Sequence, residues 1–210
     1  MRLIKHQQGD TLIEVLFAVA VFAMVAVGSL SIMNQGTATA QRSLEITLVR
    51  QQVDAQAEAI RFAHQAYVAA YQKDATATGI AKTWTDMTSK AADGKGADNA
   101  SEFGAISGSC PAIVPGQKPF ILNTHTAVIW NSTPTMTPPS GVSLPPFAQV
   151  IYDGNAIQNA YGIWIEAVPS AQVSGQPGYV DFHIRACWDA AGSSAPATIG
   201  TIVRLYEPRQ

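Results

Sequence analysis

Cysteine is almost absent from this 210-residue chain, which has only Cys110 and Cys187. The two are far apart and form no CxxC, which argues against a redox-active dithiol or a zinc site. Charge is scarce as well: Asp, Glu, Lys and Arg make up 13% of residues, and the formal net charge is −2. That balance provides no electrostatic footprint for nucleic acid. Catalytic signatures are also missing. There is no GxSxG, P-loop or dinucleotide fingerprint, and His64, His125 and His183 lie in no HxxxH or HExxH spacing. His64 falls on an apolar helical stripe, while His125 and His183 fall on predicted strands. No enzyme activity, metal or cofactor is assigned. What remains is enough chain for one globular domain beside an anchor.

Ionisable groups are scarcest between residues 12 and 33, an apolar run whose one acid or base is Glu14. At roughly 1.5 Å of rise per residue, a helix of this length crosses a hydrocarbon core of about 30 Å. It is too long for the core of a secretory signal peptide, which runs about 7–15 residues. The preceding leader carries Arg2 and Lys5 and no acid. The positive-inside rule therefore keeps Met1 in the cytoplasm and sends the chain after Asn34 across the membrane. A charge buried mid-membrane costs about 2.5–3.5 kcal/mol on insertion scales, so Glu14 needs a partner or a route to the headgroups. Both cysteines then lie in an oxidising compartment and read as one disulfide, Cys110 to Cys187.

Gly9-Asp10-Thr11-Leu12-Ile13-Glu14, after a short basic leader and before an apolar helix, resembles the class III signal of type IV pilins and type II secretion pseudopilins. The resemblance covers about the first thirty residues. It implies cutting after Gly9 by a membrane prepilin peptidase and N-methylation of the new first residue, Asp10. It also implies an assembly charge pair between Glu14 and the N-terminal amine of a neighbouring subunit. The family usually has phenylalanine after the cut. Aspartate at that place is similar to some minor, PilV-like pilins. The implied fold is α+β: one long N-terminal helix, half membrane-spanning and half amphipathic, packed against an antiparallel sheet. The implied partners are other pilin subunits, the peptidase, an inner-membrane assembly platform and membrane lipid.

Past residue 34 the apolar character becomes one-sided. Ile46, Val49, Val53, Ala57, Ile60, His64, Tyr67 and Tyr71 follow steps of three and four, the stripe of an amphipathic helix. No Pro or Gly breaks the chain between Thr37 and Thr78, so the helix is expected to continue to about Lys73, with Gly36 its weakest point. The expected division is leader 1–9, fibre-core helix 10–34, amphipathic helix 35–73 and head 74–210. Within the head, residues 74–117 read as a loop region and 118–210 as antiparallel sheet. Strands are expected at 126–130, 148–152, 161–168, 180–188 and 198–206, with turns at Asp153-Gly154-Asn155, 175–178 and 191–193. In the run 180–188, Val180, Phe182, Ile184, Ala186 and Trp188 alternate with Asp181, His183, Arg185 and Cys187. That alternation predicts a half-buried strand with Cys187 facing away from the core. Trp188 is expected in the core and Trp164 on the surface. The proline-rich stretch 131–146 reads as an exposed extended loop beginning with Asn131-Ser132-Thr133, a glycosylation pattern.

The reading that follows is a minor pilin-like subunit, made as an inner-membrane precursor and assembled into a surface filament for adhesion, motility or DNA uptake. Its rival within the family is a pseudopilin of a secretion or competence system. From other classes come a single-pass anchored binding protein that never polymerises and an exported enzyme released by signal peptidase.

Overall fold

In the computed structural model of the chain the described residues are 10–71, 73, 78–90, 110, 118–135, 147–170, 178–190, 193 and 195–208. Helix α1 covers Asp10–Tyr71, continuous through Gly36. Residue contacts group the chain into two compact units, Met1–Ser43 and Leu44–Gln210, and α1 contributes to both.

In the first unit the helix carries its apolar side chains outward on every side. Leu12, Phe17, Phe22 and Met24 are 69%, 72%, 73% and 76% exposed. The polar residues near its end satisfy themselves. Ser29 Oγ donates to the Val25 carbonyl at 2.8 Å, Thr37 Oγ1 to Asn34 and Thr39 Oγ1 to Gln35, both at 2.9 Å. Such back-bonding leaves no hydroxyl donor on these residues in need of water.

The second unit is built on the amphipathic stripe of α1. Val49, Val53, Ala57, Ile60 and Ala63 are buried in one core with the inward faces of the sheet strands. Burying a side chain such as Ile60 contributes about 1.5–3 kcal/mol. At the end of the stripe, His64 packs its ring on Trp84 at 4.6 Å, and its Nε2 meets the Tyr206 carbonyl at 2.9 Å. The stripe also holds Gln56, fully buried. Its Nε2 donates to the Leu122 carbonyl at 2.8 Å, and its Oε1 accepts the Leu122 N–H at 3.0 Å. Near the start of the unit, Trp188 Nε1 donates to Glu45 at 3.1 Å, pairing two buried polar groups.

Helix α2, Gly79–Thr88, lies in the stretch expected to be a loop. Its apolar residues Ile80, Trp84 and Met87 are spaced by four and three, enough for one buried face, and Trp84 and Met87 reach the main core. The rest of 91–109 lies outside the described residues.

Three antiparallel groups follow. Strands β1, Leu122–Asn123, and β2, Val128–Ile129, flank a turn in which Asn123 Oδ1 accepts the His125 N–H at 2.9 Å. His125 is therefore a turn residue stacked on Tyr152 at 4.3 Å, contrary to the strand placement, and the strand expected at 126–130 shrinks to two residues. Strands β3, Gln149–Asp153, and β4, Ala156–Tyr161, form a hairpin through Gly154, whose φ of +57° suits the expected turn. Strands β5, Ile163–Pro169, β6, Tyr179–Trp188, and β7, Ala197–Tyr206, pair in the order β5-β6-β7. Between β4 and β5, Gly162 has φ +61°, and a Cβ there would sit 2.3 Å from the Cys187 carbonyl oxygen. Only glycine fits that corner.

The proline-rich stretch begins as expected, with Asn131, Ser132 and Thr133 exposed. Pro134 is then buried, and Thr135 ties into the Gly162 corner, receiving its N–H at 2.9 Å. Residues 136–146, and most of the turns expected at 175–178 and 191–193, lie outside the described residues.

Candidate functional site

Two places in the chain carry groups that packing alone does not explain. The first is the start of α1. Gly9 lies outside the described residues, and of Asp10 and Thr11 only the helical backbone is described. Glu14 is exposed in a helix whose surroundings are otherwise aliphatic and aromatic. It stands four residues after Asp10, about 6 Å along the axis. An amine freed at residue 10 and this carboxylate would sit at the same end of the apolar rod. A neighbouring copy shifted by one turn could therefore bring opposite charges together. Such a pair would lose hydration as well as gain attraction, so it would fix register more surely than it would add stability.

The second place is the face of the β5-β6-β7 sheet that points away from the main core. The sequence alternation predicts a wet face there, and the structure corrects this. Asp181, His183 and Cys187 on β6 are buried at 4%, 6% and 2% exposure, and Trp164 and Glu166 on β5 at 4% and 8%. Trp164 is thus buried, not on the surface as expected, while Trp188 sits in the core as expected. Cys187 does point away from the core, and there it is bonded to Cys110 across a separation of 77 residues. Period-two alternation reports which residues share a face; it does not report whether the residues of the other face are buried as well.

Side chains line up in rows across these strands. Trp164 lies opposite Arg185, which lies opposite Gly200; one step along, Glu166 lies opposite His183 and then Ile202. Trp164 Nε1 donates to Glu166 Oε1 at 2.7 Å. Burial raises the Glu166 pKa, with the Trp164 bond and the Arg185 charge pulling it partly back. Burial lowers the His183 pKa, as does Arg185, while Asp181 opposes. Burial likewise lowers that of Arg185, against the pull of Glu166. Further along, Asp181 accepts two hydrogen bonds from Arg204, at 2.8 and 2.7 Å, and Arg204 lies 4.1 Å from the Tyr179 ring centre. The paired carboxylate pushes the Arg204 pKa further above its usual range. Sequence reading missed this cluster. The one available signal was the run of titratable residues at 181, 183 and 185 opposite a Trp-x-Glu.

Among the described residues no group of three or more His, Cys, Asp or Glu is placed to hold a metal ion. The apolar stretch beginning at Leu12 is long and apolar enough to cross a membrane, and none of its most apolar window is buried. Residues 4–30 match the prokaryotic N-terminal methylation motif. This is the class III prepilin signal, and it points to a structural subunit. The signal, with the long apolar helix and the antiparallel α+β head, is consistent with the type IV pilin and pseudopilin family. It implies processing by a prepilin peptidase and assembly with other pilin subunits. It also fits a membrane-anchored precursor that later enters a pilus. No curated protein and no solved structure matches the chain.

Proposed function

We propose that this chain is a minor pilin-like subunit, cut after Gly9, N-methylated at Asp10 and polymerised through residues 10–34 into a surface filament. The observation that carries the reading is an unbroken helix with apolar groups exposed on all sides and Glu14 as the one acid or base between residues 12 and 33. In water so much exposed apolar surface would drive aggregation; in lipid or among like helices it is at home. Moving from lipid to a filament changes the apolar environment little. Close packing and the Asp10 amine–Glu14 pair then set register between neighbours. The head, residues 74–210, lies outside the cytoplasm.

The test is the intact mass and N-terminal sequence of the protein recovered from the cell envelope. A chain beginning at Asp10, heavier by one methyl group and present in the sheared filament fraction, is the expected result. A chain that retains Met1 and never enters that fraction overturns the proposal.

A further inference from the structure

The sheet β5-β6-β7 is closed at one edge and open at the other. Beside β5, Phe120 exchanges two backbone hydrogen bonds with Ile165, at 3.0 and 2.8 Å. On the far side β7 is the last strand. Its pairing with β6 fixes which of its backbone groups are used. The Glu207 N–H donates to the Gly178 carbonyl at 2.8 Å, so odd-numbered residues of β7 face β6 and even-numbered ones face away. The Tyr206 carbonyl agrees, being left over by β6 to meet His64 Nε2. The N–H and C=O groups of Thr198, Gly200, Ile202 and Arg204 therefore point away from β6. Among the described residues none of these groups has a hydrogen-bond partner. They form a row about 20 Å long.

Such a row is ordinarily guarded by proline, lysine, an inward-pointing charge or a bulge. None of these guards β7. Ala197–Tyr206 holds no proline or lysine, and it pairs with β6 without a register shift. Its one charge, Arg204, is answered by Asp181 on β6. The row is also uncovered: Thr198, Gly200, Ile202 and Arg204 are exposed, Ile202 at 58%. On the other face of the strand, Ile199 and Leu205 pack against the core but are only partly buried. These features select the occupant. Donors and acceptors repeating at strand spacing are matched by another extended backbone; a sugar or a lipid headgroup has no such repeat. A strongly charged partner finds no unanswered opposite charge along the edge. Apolar side chains on one face of an added strand would cover Ile199 and Leu205, and hydroxyl side chains on the other would lie beside Thr198 and Gly200.

We propose that the open edge of β7 receives an extended peptide segment of another protein as a fourth strand, antiparallel to β7, with alternate β-branched apolar side chains over Ile199 and Leu205. The head thereby holds a protein partner by strand addition. This goes beyond the filament reading and does not depend on it, since the edge lies wholly within the unit Leu44–Gln210.

The test uses the full chain, isotope-labelled in detergent micelles, and a blocked peptide alternating valine and threonine. In the free chain the amides of Thr198, Gly200, Ile202 and Arg204 should exchange with solvent about tenfold or more faster than those of Thr201 and Val203. Saturable binding of the peptide is expected, with NMR shifts centred on those four amides and their exchange slowed. Opposite residues of an antiparallel pair share a face, so the peptide's threonines supply the facing donors. N-methylating them should weaken binding by about tenfold or more, the size of one or two lost hydrogen bonds. Ile202→Pro removes an outward N–H without touching the pairing to β6, and should weaken binding as much while the melting curve holds. Ile202→Lys, at an exposed position, should weaken it severalfold. No saturable binding, or undiminished binding by either folded variant, overturns the site. Slow exchange of the four amides in the free chain overturns the open edge. A dimer of the free chain that Ile202→Pro dissolves assigns the edge to a second copy and overturns the separate partner.

Discussion

The two stretches of α1, 12–33 and 44–71, have the same backbone and opposite surroundings. In the first, aliphatic and aromatic side chains face outward on every side; in the second, one stripe is buried by the head and the other face carries Arg50, Asp54, Glu58 and Arg61. Helical hydrogen bonding is satisfied in both, so secondary structure does not distinguish them. What distinguishes them is where the apolar surface is covered. The second stretch finds its cover within the chain, whereas the first must find it in lipid or in other subunits.

That contrast can be broken from either side, and the largest effect is expected at Glu14. Glu14→Ala should leave membrane insertion and head melting unchanged. It should lower the filament-associated fraction by about tenfold or more, since losing one partner of a desolvated pair is costly. Immunoblotting of sheared filaments against membranes checks this, and normal incorporation would remove the role given to that carboxylate. The next effect compares two large-to-small changes on one helix. Ile60→Ala should cost the head about 2–5 kcal/mol, because the residue is fully buried. Leu30→Ala, at 62% exposure, should stay within about 0.5 kcal/mol in the same urea melt. Replacing Cys110 and Cys187 together with serine should cost about 2–4 kcal/mol of head stability and leave insertion of the first stretch untouched.

The smallest effect concerns pH. The folded head resists protonating His183, so its unfolded form takes up the proton first as pH falls through 6.5. Stability should therefore be fully present above that value and decline below it. Glu166 acts in the other direction. Its raised pKa means that the fold holds a proton which the unfolded chain has released, so its contribution falls as pH rises above 4.5. Asp181 and Arg185 also act on His183, with opposite signs. His183→Gln should flatten the loss below pH 6.5 in thermal melts. Glu166→Gln should raise stability at neutral pH, because it removes a desolvated charge and keeps an acceptor for Trp164.

The long helix and its stripe were legible because periodicity of 3.6 over many turns is hard to mistake, and Gly36 alone did not break it. The strands at 163–169, 179–188 and 197–206 were legible for the analogous reason. Helix α2 was not. Ten residues with three threonines carry little helical propensity, and its Ile80–Trp84–Met87 face is visible only once the core it meets is known. Strand β4 was hidden because Gln158 and Asn159 interrupt its apolar pattern. The buried cluster around Glu166 and His183 depends on a second covered face, which alternation along one strand does not encode. Gly9, Asp10 and Glu14 were readable as a motif, and the roles proposed for them depend on a peptidase and on neighbouring subunits.

Gln56 has a consequence for which substitutions the head tolerates. Its amide imitates a peptide group, so the helix greets Leu122 as a neighbouring strand would, giving and taking one bond each. Asparagine is one methylene too short to complete that handshake, and in Gln56→Glu an ionised oxygen would confront the Leu122 carbonyl. A sequence drifting at this position would lose the latch that aligns the chain around residue 122 with one chosen turn of the helix, even while every greasy contact nearby survived.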